Sequence, residues 1–384
     1  MSDAEGKPSP AAPRLLVTHG CRKGEYHPDI THTNLAQHLA AILQYDFAGA
    51  FEDLPLQGTL YHFPRATLVG REIASRLKLA GEEDLFGGWV SHEHMATKAV
   101  VHPLVSPKAA APEGWSDALA ENAGGITLRG FSVFSPQDAV AAAQALLPQG
   151  PVRFKPIHAD GARGQMVART QAEIEEVIAE LSTRGRLKDA LVVEESLAEP
   201  VTYSFGQIRV AGQLLSYCGT QSLTTDNSGS SVYGGSELTI TRGGYENLDN
   251  LPLPDDMRQA IACGRDFDAL ADKYLPGLIA SRRNYDVVRG LTHEGSIRFG
   301  VLEQSWRAGG ATGAELAALE ILVREPAIRT VLARTVERYG PDEAPPAGAA
   351  VYFHGTDPEA GAMTKYVTVE KLNDAGRAHT DSRR

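Results

Sequence analysis

The chain has 384 residues, 42% of them apolar and 22% charged, which is enough for two or three domains with sizeable cores. Its formal net charge of −11 excludes the basic surface that a nucleic-acid or anionic-membrane partner needs, and leaves room only for a local basic pocket around a small anion. Three scattered cysteines, no signal-peptide core and no run near the ~18 apolar residues of a membrane span together give the expectation of a cytoplasmic protein without disulfides or structural zinc.

Residues 1–13, rich in Pro, Ala and Ser, read as a disordered N-terminus. "RLLVTHG" reads as a strand, and "THTNLAQHLAAILQYD" as a helix capped by Thr33 or Asn34, with Leu35, Leu39, Ile42 and Leu43 on one stripe. A loop and helix in "FPRATLVGREIASRLKL" complete a small α/β domain over 14–95. The histidines here (His19, His27, His32, His92, His94) lack zinc-ligand spacing and read as solvated or capping.

Lys98 opens an apolar helical segment in "MATKAVVHPL". A helix in "SPQDAVAAAQALL" leads to a strand carrying Lys155 and to the turn "DGARGQ", where Gly161 and Gly164 allow backbone N–H groups to approach an anion. "TQAEIEEVIAELSTRGR" has helical spacing, and "ALVVEESL" is an apolar strand ending in Glu194 and Glu195. "TYSFGQIRVAGQLLSYCGTQSL" reads as a hairpin turned at Ala211-Gly212, followed by a long polar loop, "GTQSLTTDNSGSSVYGG". "DDMRQAIACGRDFDALADKYL" is helical with a break expected near Gly264, and "GATGAELAALEILV" starts a helix behind glycines. "GPDEAPPAGAA" reads as a linker, a short strand "AVYFHG" follows, and the tail from Asn373 reads as disordered.

Two strands between those helices carry the chemistry: "ASRRNYDVVRG" and "SIRFGVLEQSW". With Glu294-Gly295 as a two-residue turn, Asp286 falls opposite Glu303, with Ser305 one step on. Strict alternation puts Ile297, Phe299, Val301, Glu303, Ser305 and Arg307 on a single face. Like charges facing across a strand pair are destabilising; a divalent cation resolves the conflict, and oxygen-only ligands suit magnesium. A surface ion pair with Arg283 or Arg307 is the plainer reading of the same acids.

The order of these pieces resembles the ATP-grasp superfamily over about residues 96–325: lysine, second lysine with glycine loop, strand ending in acids, then Asp and Glu-x-Ser-x-Arg on a hairpin. It is similar to the carboxylate–amine ligase and biotin carboxylase-like cores, in a bacterial branch apart from the well-known members. The resemblance implies an α/β and α+β chain, an ATP-grasp fold preceded by the small α/β domain. The core would span 96–338, with a lid subdomain at about 125–195, a second subdomain at 196–338 and a C-terminal extension over 339–384.

It further implies ATP and one or two Mg2+ ions as cofactors, and a small-molecule carboxylate and a nucleophile as substrates. Lys98 and Lys155 match the phosphate-binding lysines, and Gly161, Arg163 and Gly164 lie in the loop that closes over the phosphates. Glu194, Glu195 and Leu197 match the adenine hinge, with Glu199 as the candidate ribose acid. Asp286, Glu303 and Ser305 match the metal ligands, although Ser305 stands where the family has Asn. Arg307 and Arg283 would hold the acyl phosphate or substrate carboxylate, and "DGARGQ" and the 219–235 loop would exclude water. The implied activity is that of an ATP- and Mg-dependent ligase. The alternatives are an ATP-grasp kinase or phosphoryl transferase, or a non-catalytic ATP-binding protein.

Overall fold

The computed structural model describes residues 13–21, 26–51, 58–158, 164–188, 190–341 and 344–372. The expected disordered ends, Gly161 and Arg163 lie outside these residues, apart from Pro13. The chain begins β1 (Arg14–His19), α1 (His27–Leu43), β2 (Asp46–Ala50), β3 (Thr59–Pro64), β4 (Leu68–Val69), α2 (Arg71–Leu77) and β5 (Gly88–Val90). It continues with α3 (Ala118–Asn122), β6 (Gly130–Val133), α4 (Pro136–Leu146), β7 (Val152–Pro156), β8 (Met166–Ala168), α5 (Gln171–Thr183) and β9 (Leu191–Glu195). Then come β10 (Ala198–Val210), β11 (Gln213–Thr225), β12 (Ser231–Arg242), α6 (Asp255–Tyr274), β13 (Ile279–Ala280), β14 (Arg282–Leu291) and β15 (Ile297–Ser305). The last elements are α7 (Thr312–Arg324), β16 (Thr330–Tyr339), β17 (Ala350–Asp357) and β18 (Gly361–Leu372). Among the described residues, no helix is long and apolar enough to cross a membrane.

The first sheet is parallel, in the order β2-β1-β3, and α1 buries Leu35, Ala36, Leu39 and Ala40 toward it at helical spacing. α1 starts at His27, earlier than the expected cap at Thr33 or Asn34, because Pro28 suits a first turn and the cap comes from elsewhere. The Asp357 carboxylate accepts the His27 backbone N–H at 2.6 Å, while Asn34 donates to the Tyr352 carbonyl at 2.8 Å. Of the histidines read as solvated or capping, His19, His32 and His94 are instead buried, as is His62, while His27 and His92 are half-buried. Burial pushes His19 down to about 3, helped by His62, and His32 and His94 down to about 4.

A four-stranded antiparallel sheet, β6-β9-β7-β8, packs against α4 and α5 through Ala139, Ala142, Leu146, Ile174, Val177 and Leu181. Both helices have hydroxyl N-caps: Ser135 accepts from Asp138 N–H and Thr170 from Glu173 N–H.

The large sheet runs β15-β14-β10-β11-β12-β16-β18-β17. One face packs on α6 through Tyr203, Phe205, Cys218, Tyr285, Val287 and Val301. The other packs on α7 and α1 through Ile208, Tyr217, Leu238, Leu316, Leu319 and Leu322. Three expectations change here. Residues 219–235 form a continuation of β11, a turn and the start of β12, not a loop; Asn227 at the turn donates to the carbonyls of Ala360 and Ala362, which ties the tip down rather than leaving a lid. α6 runs unbroken through Gly264, whose missing side chain lets the helix approach Phe205: a Cβ there would lie 2.4 Å from Phe205 Cδ1. Within the expected C-terminal extension over 339–384, residues 350–372 hold two strands of this same sheet, where one short strand was expected.

Candidate functional site

The β14–β15 hairpin brings Asp286 opposite Glu303, but by a different route from the two-residue turn. Thr292 N–H donates to Ser296 O and Gly295 N–H to Thr292 O, both at 2.9 Å, with Gly295 at φ +82°. That is a three-residue loop with its last position left-handed. The register it sets pairs Leu291 with Ile297 and Val287 with Val301; Leu302 is then extra, and the bulge restores Asp286 to Glu303 and Asn284 to Ser305.

The bulge has a consequence that strict alternation misses. Val301 pairs with Val287, and Glu303 pairs with Asp286, its neighbour on the opposite face. Glu303 and Ser305 therefore leave the face of Ile297, Phe299 and Val301 and join that of Asn284 and Asp286. Val301 and Val287 pack toward α6, while the acids lie on the α7 side, where the Tyr217 hydroxyl donates to Asn284 Oδ1 at 3.0 Å.

The same alternation separates Arg282 from Arg283. Arg283 lies on the α6 side, bonded to Asp268 at 2.9 Å and Asp272 at 2.7 Å, with Glu82 at 3.6 Å. It is not brought to the acids. Arg282 is: its Nε and Nη2 each meet a Glu315 carboxylate oxygen at 2.7 Å, and Nη1 donates to the carbonyls of Ser305 and Arg307. Arg282 and Glu315 are 1% and 0% exposed, a fully buried bidentate pair that fixes the end of β15 to the start of α7. Period-two alternation from Asp286 picks out Arg282 in the sequence; Glu315 carries no such signal.

Lys98 sits in a 3-10 turn, Lys98–Val101, rather than a longer helix, and reaches Glu303 Oε2 at 2.9 Å. Gln304, on the α6 side of β15, donates to the carbonyls of Met95 and Thr97 at 2.9 Å each and so fixes the segment that delivers the lysine. Lys155 on β7 donates to Glu194 Oε1 at 2.9 Å, and His102 Nε2 lies 3.2 Å from Oε2 of the same acid. Glu194 and Lys155 are both buried. Burial would raise the Glu194 carboxyl, but Lys155 and then His102 outweigh it and hold it at about 2. Glu195 is clasped by Arg129, whose Nε and Nη2 reach Oε2 at 3.0 and 2.7 Å. His102 and Arg129 were not singled out by sequence.

The two facing carboxylates differ. Burial first, and then Glu303, push Asp286 up to about 6, against hydrogen bonds from Gln221, Asn284 and Ser204. Burial would also raise Glu303, yet Lys98 and then Lys155 hold it below the ordinary carboxylate range, with Arg307 adding to them. Arg307 leaves β15 beside Gly309, where a Cβ would stand 3.4 Å from its Nη1 and 3.9 Å from Ser305 Oγ. Nearby, Trp306 O accepts from Thr67 Oγ1 at 3.1 Å, so the N-terminal segment closes against this end of the strand.

Leu197 packs with Leu128, Val288 and Leu302 into a small apolar cluster between β9 and the acid-bearing face. Gly164 has φ +69°, and Glu199 is exposed with φ +48° at an irregularity in β10.

Residues 16–367 match the family described as a protein of unknown function (DUF3182). No curated protein matches the chain. Among solved structures it is similar to N5-carboxyaminoimidazole synthetase from Staphylococcus aureus, at 12% identity and TM-score 0.52, with 94% of each chain covered. The same enzyme complexed with ADP gives 11% identity and TM-score 0.51, covering 94% of this chain and 93% of the other. At such identities the likeness is one of fold, and the fold is ATP-grasp.

Proposed function

This chain belongs to the DUF3182 family and has the ATP-grasp fold, and from that premise we propose that it is an ATP- and magnesium-dependent ligase. It activates a small-molecule carboxylate as an acyl phosphate, which an amine or another nucleophile then attacks. One observation carries the reading: a pair of facing carboxylates, Asp286 and Glu303, with the buried Lys98 on Glu303 and the buried Lys155 near enough to help hold the Glu303 carboxyl down.

The residues present fit a magnesium ion. Asp286 and Glu303 offer oxygen donors only, the Ser305 hydroxyl lies one step along, and the hydrogen-bond donors that reach Asp286 are all neutral. Magnesium, when bound, supplies positive charge to the triphosphate. Lys98 and Lys155 hold the phosphates, and the Leu128, Leu197, Val288 and Leu302 cluster offers the base an apolar surface. The similar Staphylococcus aureus synthetase was solved with ADP, which favours a nucleotide as the ligand of this fold. Arg307 holds the carboxylate that is phosphorylated, because a guanidinium fork matches its geometry. Positioning and electrostatics dominate phosphoryl transfer, and an acyl phosphate must be kept from water. A cytoplasmic setting follows from the need for ATP.

The test is thermal unfolding of the full chain with ATP, with and without magnesium, beside Asp286→Asn. A ligand at about one hundred times its Kd adds about 2.7 kcal/mol to stability. A rise with Mg-ATP that is lost in Asp286→Asn supports the site and leads to a carboxylate and amine screen reading ADP and phosphate. No rise at saturating nucleotide overturns the proposal. ADP formed without phosphate, beside a stable phosphorylated product, would make the protein a kinase.

A further inference from the structure

We propose that His102 is a positioning residue for the nucleotide phosphates: acting through Glu194, it sets where the Lys155 ammonium stands and ties that lysine to the short segment that carries Lys98. The inference rests on the nucleotide site proposed above and adds to it a residue that touches no ligand itself.

Lys155 donates to Glu194 Oε1 at 2.9 Å, and His102 Nε2 meets Oε2 of the same acid at 3.2 Å. The three side chains are 4%, 2% and 1% exposed. Glu194 is held ionised, at about 2, so its oxygens accept and the His102 Nε2 atom carries the hydrogen. A glycine makes the contact possible. Gly130 pairs with Glu194 across β6 and β9, and a Cβ there would stand 2.9 Å from both Glu194 Cβ and His102 Cε1. Arg153, which pairs with Glu194 on the other side of β9, directs its guanidinium to Gln165 and Ser196 instead, at 3.1 Å each.

His102 belongs to neither of those strands. It follows the turn Lys98–Val101, in a segment bonded to both sheets. On the large sheet, Gln304 donates to the carbonyls of Met95 and Thr97, and Lys98 meets Glu303. On the four-stranded sheet, Ser132 Oγ donates to Ala99 O at 2.6 Å and Ser132 N–H to Pro103 O at 2.9 Å. One short segment therefore places Lys98 directly and Lys155 through Glu194. The reason for such a hold is electrostatic: Glu303 also feels Lys155, so a second acid acts on that ammonium. With Oε2 taken by His102, Glu194 offers Lys155 a single oxygen. The ammonium gives one of its three hydrogens there and can give the others to phosphate oxygens. Without the His102 donor, a desolvated carboxylate oxygen is left unmatched, and Glu194 turns both oxygens on the lysine, drawing the ammonium off the phosphates.

The experiment is calorimetric titration of the full chain with Mg-ADP, and with adenosine by displacement, for the natural protein, His102→Leu, His102→Gln and Gly130→Ala. His102→Leu is expected to lose about tenfold in affinity for Mg-ADP while its affinity for adenosine, which has no phosphate, stays within about twofold. His102→Gln, whose amide N–H stands where the Nε2 hydrogen does, should recover most of the loss. A folded His102→Leu, checked by circular dichroism, that binds Mg-ADP as the natural protein does overturns the proposal. So does an equal loss for adenosine and Mg-ADP, which marks a general distortion, and so does a His102→Gln as weak as His102→Leu. Should His102→Leu fail to fold, Gly130→Ala carries the test, because it keeps both side chains and drives the ring off Glu194. The same selective loss is expected of it, and an unchanged affinity for Mg-ADP overturns the proposal. A natural protein that gives no binding of Mg-ADP sinks the nucleotide reading and this proposal with it. A natural protein that binds, beside a His102→Leu that binds equally well, sinks only the positioning role.

Discussion

Removing Glu315 should be among the most damaging single changes near the site, although that residue touches no proposed ligand. Arg282 and Glu315 are linked by two charge-assisted hydrogen bonds of 2.7 Å at 1% and 0% exposure. Hydrogen bonds to charged groups contribute about 1.5–3 kcal/mol each. Breaking a buried pair by deleting one partner costs about 3–5 kcal/mol, since the other charge stays desolvated. The two routes agree, so Glu315→Leu is expected to lose about 3–5 kcal/mol in urea unfolding of the full chain. The double variant Arg282→Met/Glu315→Leu removes both charges and should recover much of this. About 1–3 kcal/mol should remain lost, because the carbonyls of Ser305 and Arg307 lose their donor. The folded double variant should also lose its stabilisation by Mg-ATP, as the strand end carrying Ser305 and Arg307 is no longer held. A loss below about 1 kcal/mol for Glu315→Leu, or a double-variant loss equal to the sum of the singles, would refute the reasoning.

Gly264→Ala should lower the thermal midpoint by the equivalent of about 1–2 kcal/mol, the crowding of Phe205 exceeding the gain in helix propensity; a more stable variant would count against it. Asp357→Ala leaves the N–H groups of His27, Glu359 and Ala360 without their acceptor and should cost about 2 kcal/mol in urea unfolding; an unchanged midpoint would show that solvent replaces the cap. His32, held at about 4 by burial, is uncharged in the fold but takes a proton near pH 6.5 when unfolded, so its share of stability is intact above that pH and falls between 6.5 and 4. The slope is up to about 1.4 kcal/mol per pH unit, and His32→Gln should show a correspondingly shallower decline from pH 6.5 to 5; an equal slope would mean that His32 is not the group responsible.

The sequence shows the acid pair and hides the face it lies on. Asp286 opposite Glu303 follows from counting back from a turn, and the count comes out right because a longer loop and the bulge at Leu302 cancel. What does not cancel is the alternation: one inserted residue puts Glu303 and Ser305 on the far side of the sheet from Val301. Nothing local distinguishes a Leu that bulges from a Leu that pairs. Arg283 was the wrong arginine for a related reason: its partners Asp268 and Asp272 sit on a helix whose docking no local pattern gives. The polar stretch 219–235 reads as a loop because its β-character comes from pairing across the sheet, not from apolar alternation. Helices α4 and α5 were legible because cap and stripe lie together in the chain; the start of α1 was not, since its capping carboxylate lies 330 residues away.

The positions where local reading fails are also the positions where charge is concentrated, and the two facts share a cause. A chain optimised only for stability would not set two carboxylates opposite each other, nor bury two lysines and an arginine. Here each cation has been given a carboxylate from a different element: Lys98 has Glu303, Lys155 has Glu194 and Arg282 has Glu315. These pairings are long-range, so no sequence window contains both members. Asp286 is left without a cationic hydrogen-bond partner, and its carboxyl is accordingly the one pushed upward. Replacing Lys155 or Arg282 orphans a buried acid, and replacing Lys98 takes a cation from the half-buried Glu303, whereas removing the Asp286 charge relieves a repulsion. A residue whose charge opposes the ligand-free fold calls for a bound state in which that charge is matched, and the divalent cation proposed above would supply that match at Asp286.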